Sequence, residues 1–223
     1  CLARHPCATV RRTKEVLMAD IIAKNREYWV NCSNSKLGGG KFYLAQSLLL
    51  ERIAQKYVEP DMTVLDIGCG NGENTKLLSN HCRSITGFDL SENLLAEARS
   101  ANALTNGGYA SLDLEAENWE LPAPVDMIFC LGVFTTIHDW SVLVRAVREF
   151  NRSLKPEGLL VMRDTLSTGN TRINTKKNGY SGIYRSERHY LRLFEKNGFV
   201  RQDFIPIVRG VNFIGFHVFR PVG

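Results

Sequence analysis

Three glycines at alternate positions follow a short apolar run in VLDIGCGNGENT, residues 64–75. The run TVLDI predicts a strand and NGENTKLLSN predicts a helix, so Gly68, Gly70 and Gly72 occupy the turn between them. Glycine leaves the backbone open to close approach, and the start of a helix presents free N–H groups. We therefore expect a ligand to lie against the main chain of this turn.

The residues after the turn limit the chemistry of that ligand. Glu73 stands where the dinucleotide fingerprint GxGxxG has its last glycine or alanine, and its carboxylate would repel a pyrophosphate. The turn also lacks the GK[ST] sequence of a phosphate-binding P-loop. An uncharged or cationic part of a ligand is thus expected here.

An acidic residue ends the next predicted strand, SITGFD, at Asp89. In nucleotide-binding sheets an acid about 20 positions after the glycine turn accepts hydrogen bonds from ribose hydroxyls. The alternative role for Asp89 is to cap the following helix, but Ser91 already suits that position. The turn and the acid together favour a nucleoside without phosphates.

The elements that must position these residues alternate along the chain. Two helical patterns, EVLMADIIAKNREYWV and KFYLAQSLLLERIAQKY, flank a loop that contains Gly38, Gly39 and Gly40. From Thr63 onward, apolar runs typical of strands buried on both faces (TVLDI, SITGFD, VDMIFCL and GLLVMRD) alternate with helical segments. The clearest helix, DWSVLVRAVREFNRSL, leads into a turn at KPEG.

The C-terminal part predicts a helix, ERHYLRLFEKN, capped by Ser186 and ended by Gly198, and then an antiparallel hairpin of FVRQDFIPIV and VNFIGFHVFR. The order of elements predicts an α/β fold with a doubly wound, mostly parallel sheet. Ligands of such folds bind at the carboxyl ends of the strands.

Composition excludes several classes of protein. The 223 residues, 44% of them hydrophobic, predict one domain. No apolar run approaches the roughly 18 residues of a membrane span, and none forms a signal peptide. We therefore expect a cytoplasmic protein. The six cysteines, from Cys1 to Cys130, are scattered and predict neither a metal site nor a disulfide framework. A net charge of +5 with dispersed basic residues argues against a nucleic-acid partner, whereas a polar or anionic partner stays open.

In their order and spacing, LDIGCGNG, GFDLSE, LDLEAENWELPAPVDMIFCLGVF and LKPEGLLVMRD resemble the class I S-adenosylmethionine-dependent methyltransferases. The motifs cover residues 63–164, and the order of elements continues the resemblance to the C-terminus. The resemblance implies a seven-stranded sheet whose last strand is antiparallel, with S-adenosylmethionine as cofactor and S-adenosylhomocysteine as product. It also implies three parts: an N-terminal helical lid or cap (1–60), a cofactor-binding core (61–164), and an acceptor loop, helix and hairpin (165–223).

The resemblance assigns roles by position. Residues from the turn and the strand ends would contact the cofactor at its methionine end, ribose hydroxyls, adenine ring, adenine amino group and sulfonium. These cofactor residues are Asp66, Gly68, Cys69, Gly70, Asp89, Leu90, Asp113, Leu114, Glu115 and Leu131. Leu131 and the following Gly132 would lie near the methyl group.

Candidate catalytic residues follow two of the predicted strands. His138 is a candidate general base because an imidazole titrates near neutral pH, and Asp164 could orient an acceptor hydroxyl or amine. The alternative is that His138 packs or caps and that Asp164 makes a structural hydrogen bond. Thr136 departs from the family pattern, since many members carry histidine there.

The acceptor pocket is expected to combine the end of the first helix with an unusually long polar insertion, residues 165–186. Tyr28 and Trp29 could form a lid over the substrate, and the insertion is a long loop of the kind that carries function. Its candidate residues are Arg172, Lys176, Tyr180, Tyr184 and Arg185. Plain packing and a solvated surface loop are the alternatives.

These observations predict a methyltransferase acting on an oxygen or nitrogen of a polar small-molecule or sugar-containing acceptor. A peptide amino terminus is an alternative acceptor, because the EYW segment is similar to the entry segment of protein N-terminal methyltransferases, although Thr136 counts against it. A non-catalytic cofactor-binding subunit is a third interpretation. CLGV replaces the Asn-Pro-Pro-Tyr type of motif that enzymes methylating nucleic-acid amino groups use. The oligomeric state is left open.

Overall fold

A computed structural model of the protein describes residues 7–33 and 40–222, with side chains from Val16 onward. Cys1, Gly38 and Gly39 therefore lie outside the described residues, while Gly40 begins the second helix. The helices are α1 (Cys7–Val30), α2 (Gly40–Tyr57), α3 (Glu73–Ser79), α4 (Glu92–Ala101), α5 (Trp140–Ser153) and α6 (Glu187–Glu195). The strands are β1 (Thr63–Ile67), β2 (Ser84–Asp89), β3 (Gly107–Ser111), β4 (Val125–Leu131), β5 (Leu154–Ser167), β6 (Arg172–Thr175), β7 (Ser181–Tyr184), β8 (Phe199–Val208) and β9 (Asn212–Pro221).

A seven-stranded sheet runs through the centre in the order β3-β2-β1-β4-β5-β9-β8. Strands β1 to β5 pair in parallel, and β9 lies antiparallel between β5 and β8. The predicted α/β fold and the terminal antiparallel hairpin are therefore confirmed. Strand order reverses beside β1, which places a crevice at the carboxyl ends of β1 and β4.

Apolar side chains cover both faces of the sheet. One cluster packs α5 and α6 on the sheet through residues such as Phe150 and Phe194, and the other packs α2 through Leu50 and Ile53. Both are continuous with the buried strands that the apolar runs predicted. No described helix is long and apolar enough to cross a membrane.

Strand β3 was not predicted, because GGYAS has no apolar run. Its backbone pairs with β2 through the register Ile85↔Gly107. A Cβ added to Gly107 would lie 1.7 Å from the carbonyl oxygen of Ile85, so only glycine allows this close approach.

Two segments differ from their predicted form. The KPEG turn is an irregularity within β5, where pairing with β4 jumps from Val125↔Leu154 to Met127↔Leu159. The insertion predicted as a loop instead extends β5 to Ser167 and then forms the β6–β7 hairpin. Strand pairing satisfies the backbone N–H and C=O groups of these polar segments. Hydrophobic periodicity does not detect such strands, because it depends on apolar residues.

Candidate active site

A cavity of about 420 Å³ lies at the carboxyl ends of the parallel strands. Its floor is the glycine turn and the ends of β2 and β4, and α1, α2 and the β6–β7 hairpin surround it. Among the predicted cofactor and acceptor residues, those that line it are Gly68, Cys69, Gly70, Asp89, Leu90, Asp113, Leu114, Glu115, Leu131, Trp29, Lys176, Tyr180 and Tyr184. The cavity thus brings both predicted groups together.

The glycine turn owes its shape to left-handed backbone conformations, with φ of 74° at Gly68, 56° at Gly70 and 82° at Gly72. The N–H groups of Gly68 and Cys69 both donate to the carbonyl of Phe88, at 2.7 and 2.9 Å, which binds the turn to the end of β2. Burial raises the pKa of the Cys69 thiol, so this cavity-lining group stays protonated.

Asp89 contacts the turn directly. Its Oδ2 accepts a hydrogen bond from the N–H of Gly70 at 2.8 Å, and its Oδ1 accepts one from the N–H of Ser91 at 2.9 Å. Ser91 itself caps α4. Burial raises the pKa of Asp89, against the opposing effect of these N–H groups. A carboxylate has about four acceptor positions, so two remain for ligand hydroxyls.

Asp66 lies beneath the turn and is not among the cavity-lining residues. It is buried and accepts a hydrogen bond from Thr75 Oγ1 at 2.6 Å. Burial raises the pKa of Asp66 to about 6. Its contact joins β1 to α3, so the structure gives it a role in holding the turn.

Asp113 and Glu115 share a partner that sequence reasoning missed. Arg26 of α1 donates to both oxygens of Asp113, at 3.1 and 2.6 Å, and to Glu115 at 3.4 Å. Although burial alone would raise the pKa of Asp113, the hydrogen bonds and charge of Arg26 hold it below its usual range. The pair ties α1 to the cavity wall and competes with any ligand amino group for Asp113.

His138 does not line the cavity. Its Nδ1 lies 3.1 Å from the carbonyl of Thr136 and must donate to it, so Nε2 accepts from Ser181 Oγ at 3.0 Å. Burial lowers the pKa of His138, which favours the neutral ring. Both nitrogens are therefore used in joining β7 to the segment after β4, and Thr136 lines the cavity instead.

Asp164 is also enclosed within the protein. Its Oδ1 accepts from the N–H and Oγ1 of Thr135, at 2.8 and 3.0 Å, and its Oδ2 accepts from Tyr190 Oη at 2.8 Å. The side chain is 1% exposed and lies outside the cavity lining, and burial raises its pKa. Asp164 links β5, the segment after β4 and α6.

Aromatic rings form part of the cavity wall. Trp29 and Tyr180 line the cavity with centroids 6.1 Å apart, while Tyr28 packs edge-on against both from outside the lining. Lys176 places its Nζ 5.2 Å from the Tyr180 ring. Asn25 of α1 holds the arrangement, since it donates to Thr136 O and accepts from Ser181 N.

The two predicted arginines lie elsewhere. Arg185 is buried and donates to the carbonyls of Phe134 and Ile137, both at 2.6 Å. Arg172 is exposed on β6 and donates to Asn212. Neither lines the cavity.

Sequence reasoning also missed four residues that line the cavity, namely Arg163, Phe42, Tyr43 and Gln46. The signal for Arg163 was present, since an arginine interrupts the apolar run GLLVMRD. The α2 residues carried no signal, because their pattern is that of an ordinary amphipathic helix. Among the side chains that the structure describes, in residues 16–33 and 40–222, no group of three or more potential metal ligands occurs.

Comparisons with known proteins agree with this geometry. A family profile described as "Methyltransferase domain" matches residues 64–158. The ubiquinone biosynthesis O-methyltransferase of Pseudomonas paraeruginosa is 33% identical over 99 residues, which are 43% of this chain and 41% of that protein. The trans-aconitate 2-methyltransferase of Azoarcus sp. is 34% identical over 113 residues, 50% of this chain and 42% of that protein. The matches thus span about two fifths of the length of these curated relatives.

A solved structure extends the likeness to nearly the whole chain. The structure of DhpI in complex with SAH matches with a TM-score of 0.71 at 18% identity, covering 92% of this chain and 98% of the other. At this identity the match establishes the fold. Residues 64–158 thus match a methyltransferase domain, and the chain shares its fold with the DhpI structure.

Proposed function

We propose that this protein transfers a methyl group from S-adenosylmethionine to an oxygen or nitrogen of a polar small molecule. The observation that carries the proposal is one cavity with two different walls. The glycine turn and Asp89 form one wall, and the aromatic rings of Trp29 and Tyr180 with Arg163 form the other. The first wall suits a nucleoside, and the second leaves room for a separate acceptor.

The cavity-lining residues are compatible with the cofactor. Asp89 keeps acceptor positions for two ribose hydroxyls, and the apolar side chains of Phe88, Leu90 and Leu112 would flank the adenine. Gly132, with φ of 94°, has no side chain of its own beside Leu131, where the methyl group is expected, and the guanidinium of Arg163 lies next to it. Asp113 or Glu115 would reach the adenine amino group only by sharing it with Arg26.

Bound there, S-adenosylmethionine would supply an electrophilic methyl group on a cationic sulfur, with the neutral thioether S-adenosylhomocysteine as the leaving group. The protein's part is to align the acceptor and exclude water. Helix α1, pinned by Arg26 and Asn25, and the β6–β7 hairpin close the cavity for that purpose.

The general-base roles predicted for His138 and Asp164 are not favoured by their contacts, because the ring nitrogens and carboxylate oxygens are already paired. We propose that both residues position the segment after β4 instead. His138→Gln should then lower the free energy of unfolding and leave the dependence of kcat on pH nearly unchanged. Loss of the acidic limb of that profile in the variant would restore His138 as the base.

The choice of a small acceptor rests on the curated relatives, one named for a ubiquinone biosynthesis O-methylation and the other for trans-aconitate. A peptide amino terminus and a non-catalytic role are the competing outcomes.

The first experiment is calorimetric titration with S-adenosylmethionine, S-adenosylhomocysteine and NAD. It is followed by transfer of a labelled methyl group to small acids, sugars, amines and short peptides.

Micromolar binding of the first two ligands with none of NAD, and labelling of a small molecule, would support the proposal. Labelling of peptides alone would favour the N-terminal alternative. Binding without any transfer would favour a non-catalytic subunit, and absence of binding would refute the cofactor assignment.

A further inference from the structure

Arg163, at the acceptor side of the cavity, is a cation that forms no salt bridge with any side chain that the structure describes. It projects from β5 beside the end of β4, where it pairs in register with Leu131. Among the side chains and carbonyls of residues 16–33 and 40–222, none accepts a hydrogen bond from its guanidinium, and its enclosed Nε has no partner. Burial lowers the pKa of Arg163, yet a guanidinium stays protonated in proteins.

The surroundings hold the guanidinium in place rather than neutralise it. Its Cζ lies 5.9 Å from the centroid of the Phe42 ring. On another side, a Cβ added to Gly132 would lie 2.8 Å from Nη1, so the glycine gives the group its space. The neighbouring Asp164 attracts the guanidinium through space but does not contact it, because its oxygens bond to Thr135 and Tyr190.

Charge is divided between the two ends of the cavity. The acidic residues of the lining are Glu73, Asp89, Asp113 and Glu115, which belong to the start of α3, the end of β2 and the segment after β3. Arg26 also lines this end, where Asp113 and Glu115 pair with it. At the other end, the charged lining residues are Arg163 and Lys176. Positive potential is therefore concentrated where an acceptor would enter.

Among the described residues of the cavity lining, two more polar atoms lack hydrogen-bond partners. Trp29 Nε1 is an enclosed donor and Gln46 Oε1 an enclosed acceptor, and both residues line the cavity. Unpaired enclosed polar groups cost free energy until a ligand supplies the missing bonds. The set of donors, with one acceptor, suits a ligand that carries an anion and a hydrogen-bond donor.

We propose that Arg163 binds an anionic group of the methyl acceptor, and that this group is a carboxylate. This inference rests on the proposed methyltransferase function. A guanidinium pairs with the planar carboxylate through two parallel hydrogen bonds, and Phe42 and Gly132 hold it on two sides. The same charge repels a protonated amine, so acidic acceptors are selected over peptide amino termini.

The test uses matched ligands on the full protein saturated with S-adenosylhomocysteine. Calorimetry compares hydroxybenzoates and aliphatic mono- and dicarboxylates with their primary amides, and a third arm uses the corresponding phosphate esters. Arg163→Gln removes the charge, Arg163→Lys retains it without the planar fork, and Arg188→Gln alters an exposed arginine of α6 as the control.

We expect at least one acid to bind the wild type roughly 10- to 100-fold more tightly than its amide. Arg163→Gln should abolish that preference, Arg163→Lys should restore part of it, and Arg188→Gln should keep it. In turnover with S-adenosylmethionine, Arg163→Gln should raise KM for the acid more than it lowers kcat.

Equal binding of every acid and its amide, or an unchanged preference in Arg163→Gln, would overturn the carboxylate site. Preference for the phosphate esters would replace carboxylate by phosphate as the ligand. Calorimetry with S-adenosylmethionine separates the two proposals. If the wild type binds the acids but not the cofactor, the methyltransferase proposal fails and the anion site stands; if it binds the cofactor but not the acids, the reverse holds.

Discussion

Replacement of Asp89 by alanine tests the assignment of the glycine turn to a nucleoside. The carboxylate accepts hydrogen bonds from Gly70 N and Ser91 N, and in the proposed complex it also accepts from the ribose. A hydrogen bond to a charged group contributes about 1.5 to 3 kcal/mol, and about 1.4 kcal/mol corresponds to a tenfold change in affinity. The dissociation constant for S-adenosylmethionine should therefore rise roughly 10- to 150-fold.

The same substitution affects the folded protein, because two backbone donors lose their acceptor. Since Asp89 is only partly buried and lies against the cavity, water can replace part of the loss, and we expect a decrease of about 2 kcal/mol in the free energy of unfolding. Urea denaturation measures this effect, and circular dichroism confirms that the variant used for titration is folded.

Asp139→Ala is the matched control. Asp139 accepts from Ser141 N and Oγ at the start of α5, both at 2.8 Å, and it lies outside the cavity lining. Loss of this cap should cost about 1 kcal/mol of stability without a change in affinity for S-adenosylmethionine. Wild-type affinity in Asp89→Ala, or an equal loss in both variants, would refute the ribose assignment.

Three further variants probe other contacts. Arg26→Ala removes a partly exposed ion pair with Asp113 and Glu115, so the free energy of unfolding should change by less than about 1 kcal/mol. S-adenosylmethionine should dissociate faster from this variant in stopped-flow measurements. An unchanged dissociation rate would argue against α1 as a closing element. Asp164→Ala should lower the free energy of unfolding, measured with urea, by about 3 kcal/mol, because Thr135 N and Tyr190 Oη lose their acceptor. A loss of activity without a loss of stability would instead support a catalytic role for Asp164. His217 has its pKa lowered to about 3 by burial, so it stays neutral when folded while its unfolded form gains a proton below about pH 6.5. Stability should thus fall as pH decreases from about 6.5 towards 3, and in His217→Phe the decline measured by urea titration between pH 7 and 4 should be shallower; equal slopes would contradict this.

The cofactor half of the cavity could be predicted because its parts are close in sequence. The strand TVLDI, the glycine turn and Asp89 lie within about thirty residues, and each has a local signature of glycine spacing or apolar runs. The positive φ angles at Gly68, Gly70 and Gly72 agree with what that spacing required. Even so, no local pattern indicated that Arg26 would pair with Asp113, because the two are 87 residues apart.

The acceptor half depended on contacts that no short window contains. Asn25 bonds to Thr136, 111 residues away, and to Ser181, 156 residues away, and these contacts decide which faces of α1 and β7 meet the cavity. Distant partners likewise occupy the polar atoms of His138 and Asp164, since Ser181 bonds to His138 and Tyr190 bonds to Asp164.

The sequence by itself determined the α/β order of elements, the position of the glycine turn and the acid that follows it, because each follows from local hydrophobic periodicity and backbone freedom. Only the tertiary structure decided that an insertion read as a loop is a hairpin, that Arg172 and Arg185 lie away from the cavity, and that Arg163 lines it with an unpaired Nε. The reason is physical: whether a polar side chain is paired or free is set by neighbours distant in the chain, and those neighbours exist only once the sheet has assembled.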